Sequence, residues 1–372
     1  MIGLLSCSVL RMHQSLKFTK EDWTMYGGSI ERTNVAHSAV KPPLAVVWEY
    51  DASAGFSQYS AIAVDSFLFV PNLQGEVHVV QVGTGKAVGV YDFGSALVGT
   101  PVVDKNFLYV ALTRDDNNLV AYNLVSGVIE WRAKVGDVES SPLLVEKRLY
   151  VTTLQGKLLC VETFSGTIVW TFEVPSHTRT TIIRSSPASD GSVVVFGCDS
   201  GELYAVGIED GKLRWRATTA GSIAGSPSIG GGKVFVGSTD GMFNAFDVES
   251  GKRVWKQDLG SQIYASQVIS STSVYVGTSG QTVYCLDAGS GAIKWKATTK
   301  SVVSAPPLLS GDVLYVGCMD KTLYAFDADS GELRWHYETE GRIKTMPIVW
   351  KDYLFVLTED RSVLAFKHST QP

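Results

Sequence analysis

Apolar and polar residues alternate with period two along most of this chain, in short runs bounded by Gly, Asp or Ser. The pattern is clearest over 304–335. Ser-Ala-Pro-Pro-Leu-Leu starts one strand and Asp-Val-Leu-Tyr-Val-Gly alternates as a second. Asp320-Lys321 marks a turn, Thr-Leu-Tyr-Ala-Phe-Asp is a third, and Asp-Ser-Gly turns the chain into Glu-Leu-Arg-Trp-His, a fourth. Short runs rich in Val, Tyr, Phe and Leu between such breakers are strand signals, and no helical periodicity competes with them. The last turn recurs. Glycines at 85, 127, 166, 211, 251, 291 and 331 follow one another at steps of 42, 39, 45, 40, 40 and 40 residues. Trp131, Trp170, Trp215, Trp255, Trp295 and Trp335 stand four residues after the last six, and Gly89 stands where the first tryptophan is expected.

A period near 40 with four strands inside predicts a radial array of four-stranded units, an all-β propeller. Complete units occupy about 57–93, 98–134, 138–173, 184–218, 224–257, 263–297 and 302–338. After Trp335 there is sequence for three more strands, near 343–349, 353–358 and 362–367. The missing fourth is Leu44-Ala-Val-Val-Trp48-Glu-Tyr, so an eighth blade is built from both termini and leaves no open edge. The expected organisation is a leader and lead-in segment over 1–40 and one eight-bladed propeller over 41–372. Each tryptophan is expected to dock on the adjacent unit, and the blade carrying Gly89 is expected to be the weak point of the ring.

Composition narrows the function classes. The 372 residues are 45% hydrophobic and carry a formal charge of −5, which argues against a nucleic-acid backbone binder. No apolar stretch is long enough to span a membrane as a helix. Cys160 and Cys285 share one repeat position and Cys198 and Cys318 another, far beyond bridging distance, so all four are read as buried small hydrophobes. The six histidines show no ligand spacing, and Asp115-Asp116-Asn117-Asn118 reads as a hairpin turn, so no metal site is expected.

Two sets of residues are candidates for binding. Aligning the first strands on their Ser-Pro register places Gln58, Val98, Glu139, Arg184, Ala224, Tyr264, Val303 and Lys344 around the mouth of a central funnel. The polar ones, Gln58, Glu139, Arg184, Tyr264 and Lys344, form either a small-ligand pocket or a solvated lining with structural ion pairs. The one long step between blades contains Arg179, Ile182, Ile183 and Arg184, a mixture of aliphatic and cationic side chains suited to protein contact.

These residues also carry a resemblance. Ala-x-Asp-x-x-Ser-Gly-x-x-x-Trp, as at Ala325, Asp327, Gly331 and Trp335, resembles the tryptophan-docking motif of PQQ-type propeller repeats. Asp22-Trp23-x-x-Tyr-Gly-Gly-x-x-x-Arg32-Thr is similar to the lead-in of that superfamily, and Leu4-Leu5-Ser6-Cys7 resembles the lipobox of bacterial lipoproteins, with Cys7 as the lipidated residue. In architecture the chain most resembles outer-membrane assembly scaffold lipoproteins of the BamB type. That resemblance implies a non-enzymatic protein-binding scaffold or accessory subunit in the periplasm or at the outer membrane, with a protein partner and no cofactor. It also implies contact roles for Ile183 and Arg184. The superfamily's quinoprotein oxidoreductases, which bind PQQ with calcium, are the alternative; they carry adjacent cysteines that this sequence lacks. A small-ligand sensor is a second alternative.

Overall fold

The computed structural model describes residues 10–175 and 182–370. Among them there is no helix, and thirty-two strands form eight four-stranded antiparallel sheets arranged as a propeller. Blades 1 to 7 span 62–92, 102–133, 143–173, 188–218, 228–258, 268–298 and 308–338. Blade 8 takes three strands from 348–368 and its outermost from Leu44–Asp51, which pairs antiparallel with Ser362–His368. The ring closes as the strand arithmetic requires. The four described cysteines are buried and free, and burial pushes the Cys160 and Cys318 thiols up to about 11.

Six of the eight contacts between consecutive blades share one arrangement. An indole from the outer strand of one blade lies over the turn glycine of the next. A Cβ added to Gly85, Gly166, Gly211, Gly251, Gly291 or Gly331 would sit 2.5–2.8 Å from that ring, and each of these glycines has positive φ, so both space and backbone require glycine there. The indole Nε1 of Trp48, Trp131, Trp215, Trp255 and Trp295 donates to a backbone carbonyl in the same turn at 2.6–3.2 Å. Trp170 departs from this. Its Nε1 is buried without a partner, and Ile208 O, in the corresponding turn, accepts instead from the Tyr150 hydroxyl at 3.2 Å. Trp335 faces the closing blade, whose third and fourth strands belong to opposite chain ends and share no turn. It packs edge-on against Phe366.

Blade 1 has Gly89 in place of its tryptophan, yet the socket on blade 2 is filled. The Met12 N–H donates to Leu124 O at 2.6 Å, the position an indole takes in other blades, and the Arg11 stem covers Gly127 at 3.5–3.6 Å from an added Cβ. Arg11 Nε donates to Val125 O at 3.0 Å, and the Leu10 N–H reaches Val90 O on the blade 1 edge at 3.3 Å. Leu10, Met12 and Leu16 are buried against Phe93, Leu97 and Tyr122. The vacancy expected from Gly89 is thus occupied by the chain's own N-terminal residues.

Residues 22–36 run around the inside of the ring and reach every blade. Trp23 exchanges both backbone hydrogen bonds with Ala63. The inner-strand amides of Val103, Ser189, Ile229, Ile269 and Leu309 donate to the carbonyls of Thr24, Ile30, Glu31, Thr33 and Asn34 at 2.8–3.1 Å. Blade 3 is reached by Arg32, which donates to Pro142 O at 2.9 Å, and blade 8 by Asp22, which accepts from Trp350 Nε1 at 2.7 Å. The inner strands would otherwise present unpaired edges to the axis. Above this belt a second one links blades directly: Thr100, Ser141, Ser186 and Ser226 each donate a backbone N–H to the hydroxyl of Ser141, Ser186, Ser226 and Ser266 in turn, at 2.8–2.9 Å. It stops at blade 7, where Pro306 stands in the serine position.

The substitution of Arg11–Met12 for an indole is open to test. The double variant Arg11→Ala, Met12→Pro removes the stem over Gly127 and the N–H to Leu124. It should cost about 1–3 kcal/mol and raise hydrogen-exchange rates in 57–93 while leaving 224–257 unchanged. Equal protection of the two blades in this variant would show that the segment carries no load.

Candidate functional site

In blades 2 to 8 an aliphatic residue precedes the mouth position. Leu97, Val138, Ile183, Ile223, Ile263, Val303 and Ile343 all lie inside, at 0–2% exposure. Their seat is built by the preceding blade: a Cβ on Gly197, Gly237, Gly277 or Gly317 would come within 2.2–2.3 Å of Ile223, Ile263, Val303 or Ile343. Two expectations are corrected by this column. Ile183 is a core residue and offers nothing to a partner, whereas Ile182 beside it is half-buried and Arg184 is exposed. Val303 does not line the mouth. Pro306-Pro307 displaces the register by one, and Ser304 takes that place. Arg179 and Cys7 lie outside the described residues.

The mouth carries its charges in local pairs. Arg184 of blade 4 bridges Glu139 of blade 3 at 3.2 Å and also pairs with Asp199. Its carbonyl accepts the Tyr59 hydroxyl at 2.9 Å, which fixes the backbone below it. Lys344 pairs with Glu359 at 2.5 Å, and that hydrogen bond holds the Glu359 carboxyl below its ordinary range. Tyr264, 40% exposed, donates its hydroxyl to Gln262 at 2.9 Å. Gln58 is exposed. The structure therefore brings Arg184 and Glu139 together and commits Lys344 to a different carboxylate. Among the described residues no group of three or more His, Cys, Asp or Glu side chains converges as a metal site would.

Below the mouth the axis is filled. Tyr26, Gln58, Tyr59, Ser226, Tyr264 and Ser304 line a cavity of about 10 Å³, room for roughly one water. Ser304 Oγ is buried there without a hydrogen-bond partner, the kind of group one enclosed water satisfies. Tyr26 forms the floor and donates to Ser266 Oγ at 3.0 Å. Beneath it Arg32 is completely buried with no carboxylate beside it. Nε donates to Pro187 O at 3.0 Å, Nη2 to Pro142 O, and Nη1 to Tyr26 O. Burial pulls its pKa down to about 10, which leaves it a cation at neutral pH. Gly27 and Gly28, both at φ +75°, make the turn that brings Tyr26 and Arg32 together; a Cβ on Gly27 would meet Arg32 Cα at 2.9 Å. The sequence motif was visible, but nothing in it marks Arg32 as buried. A cofactor pocket needs roughly 300 Å³ or more. The residues present at the axis do not fit PQQ.

Comparison with known proteins gives this ring a family. The family model described as "Outer membrane protein assembly factor BamB" matches residues 38–297 and 280–370. The chain belongs to the BamB family. A BamB from Moranella endobia is 21% identical over 263 residues, covering 52% of this chain and 68% of that protein. Two further relatives of that description are matched over 47% and 27% of their length. Among solved structures, BamB from Moraxella catarrhalis superposes with a TM-score of 0.73 at 17% identity, over 87% of this chain and 99% of that one. The quinohemoprotein alcohol dehydrogenase of Comamonas testosteroni reaches 0.78 at 13% identity, over 94% and 81%. At such identities the superpositions show a shared fold alone.

The two arginines should behave oppositely. Arg32→Ala leaves three buried carbonyls unpaired and should cost about 3 kcal/mol or more, read as a fall in the midpoint of urea unfolding. Arg184→Ala at the exposed mouth should cost less than about 1 kcal/mol. A small effect of Arg32→Ala would mean that water replaces the guanidinium and that the axis is open to solvent.

Proposed function

We propose that this chain is a non-catalytic protein-binding scaffold that acts in the assembly of outer membrane proteins. The observation that carries the reading is the BamB family model, which runs from the ring-closing strand to the last strand of blade 8. The filled axis supports it, because a ring without a central pocket has only its faces and rim to offer. The proposed location is the periplasm or the inner face of the outer membrane, with Cys7 as the lipid attachment point. A lipid there would bring the rim of blades 1 and 2 close to the membrane, since Leu10, three residues on, is held between them.

The surface proposed for the assembly partner is the mouth face around Ile182, Arg184 and Glu139, with Gln58 and Tyr264 on the same rim. Arg184 is exposed yet held by two carboxylates, so it presents a cation in a fixed place at little cost in side-chain entropy on binding. The double variant Ile182→Asp, Arg184→Glu should abolish co-purification of envelope assembly proteins with the chain, while its melting temperature stays close to wild type. Undiminished co-purification would move the contact to another face. A large loss of stability would show that the two side chains serve packing.

A further inference from the structure

Charge is unevenly divided along this chain. Residues 1–20 hold Arg11, Lys17 and Lys20 and no Asp or Glu, so the rest carries 29 Lys and Arg against 37 Asp and Glu, a formal charge of −8. The described part of that stretch lies across one face of the ring. The first strand of blade 1, Ile62–Val64, runs from the mouth side to the turn at Asp65-Ser66, which puts this turn on the face opposite the mouth. The Asp65 carboxylate accepts the Lys17 N–H at 2.9 Å, and in the equivalent turn of blade 2 Asn106 donates to Ser15 Oγ at 3.1 Å. Residues 18–20 are tied to the blade 1 turn through Asp22, which accepts the Thr19 N–H at 2.6 Å and the Asp65 N–H at 3.4 Å.

What this stretch turns outward is cationic and aromatic. Met12 and Leu16 are buried, while Arg11, His13, Lys17 and Lys20 are exposed and Phe18 is 41% exposed. Lys105, next to Asn106 in the blade 2 turn, adds another exposed cation. The carboxylates nearby are recessed. Asp65 holds the Lys17 N–H, Asp22 is buried and holds Trp350 Nε1, and Asp104 is half-buried. Glu21, also half-buried, accepts the Ser38 hydroxyl and stands 4.0 Å from Lys20. A cleft of about 170 Å³ lies within the patch, walled by Met12, Leu16, Phe67 and Val88, with Arg11, His13 and Asp65 at its sides.

From this arrangement we infer that residues 11–20 with Lys105 form a seat for an anionic phospholipid surface. The cations meet headgroup phosphates, and Phe18 enters the boundary between headgroups and acyl chains. The occupant is argued from charge. A body of −8 is repelled by such a surface, and this end of the molecule is attracted to it, so one field both binds the patch and turns the mouth away from the bilayer. The inference goes beyond the scaffold reading. It shares with that reading only the presence of a membrane, and it holds for a chain that carries no lipid of its own.

The test uses the full chain with Cys7→Ser, so that no attached lipid carries it, and sucrose-loaded vesicles that sediment with bound protein. This parent should bind vesicles of phosphatidylethanolamine with phosphatidylglycerol at low salt, bind phosphatidylcholine vesicles little, and be released in about 0.5 M salt. Each cation near such a surface contributes about a fivefold gain, so adding Lys17→Glu and Lys20→Glu should weaken binding at least about tenfold with no change in melting temperature. Phe18→Ser should weaken binding and keep its salt dependence. The control pair Lys256→Glu, Lys296→Glu makes the same change in net charge on the outer strands of blades 5 and 6 and should bind as the parent does. No binding by the parent, the result expected if the patch serves an acidic protein segment, would overturn the proposal. So would equal binding to phosphatidylcholine, undiminished binding by the Lys17, Lys20 variant, or an equal loss in the control pair. Co-purification of envelope assembly proteins is scored separately. Vesicle binding without it sinks the scaffold reading and keeps the seat, and the reverse result sinks the seat alone.

Discussion

An indole lying on a bare turn glycine is the contact on which this ring depends. A four-stranded sheet of about 30 residues cannot bury both of its faces by itself. The tryptophan supplies roughly 150–250 Å² of apolar surface to the neighbour, and its N–H meets a carbonyl left free in the turn. Glycine is required on the other side because a side chain there would occupy the ring's own space. Six copies of this pairing, together with the aliphatic residue seated on the preceding blade, fix the angle between neighbours. The ring then closes through strand pairing between the two chain ends.

Where the repeat fails, the chain compensates from outside it. Blade 1 lacks an indole, and residues 10–12 supply a backbone donor at the carbonyl an indole would use and an arginine stem in its place. The inner edges, which the repeat leaves unpaired, are met by residues 22–36. Both devices lie in the part of the sequence that has no repeat. The family's shared fold therefore leaves this chain a closed axis, a charged mouth and a rim of sheet edges.

Much of this was legible from spacing. The glycine and tryptophan positions predict eight blades and their closure, because a period near 40 residues reports a repeated contact. The misjudged residues have physical causes. Ile183 sits in a lengthened step that hid its membership of the column Val138, Ile223, Ile263, Ile343, all buried. Pro306-Pro307 offers two registers, and packing against Gly277 selects the one that buries Val303. The roles of Arg32 and Arg11 were out of reach of pattern reading. A charged side chain satisfied entirely by carbonyls, and one that stands in for an indole, are both made by tertiary contacts of a segment with no internal period.

Residues 22–36 seal the axis and leave there a cavity with room for roughly one water. Native-state hydrogen exchange resolved by residue tests that seal directly. The amides of Trp23, Arg32, Asn34 and Ala36, each donating to a backbone carbonyl in the structure, should exchange only by global unfolding, at the same opening free energy as the middle strands of the blades, such as Phe107–Ala111 and Lys233–Gly237. Exchange of the four by local opening, with those middle strands still protected, would contradict it: the segment would be a removable plug, and the axis a site open to ligands.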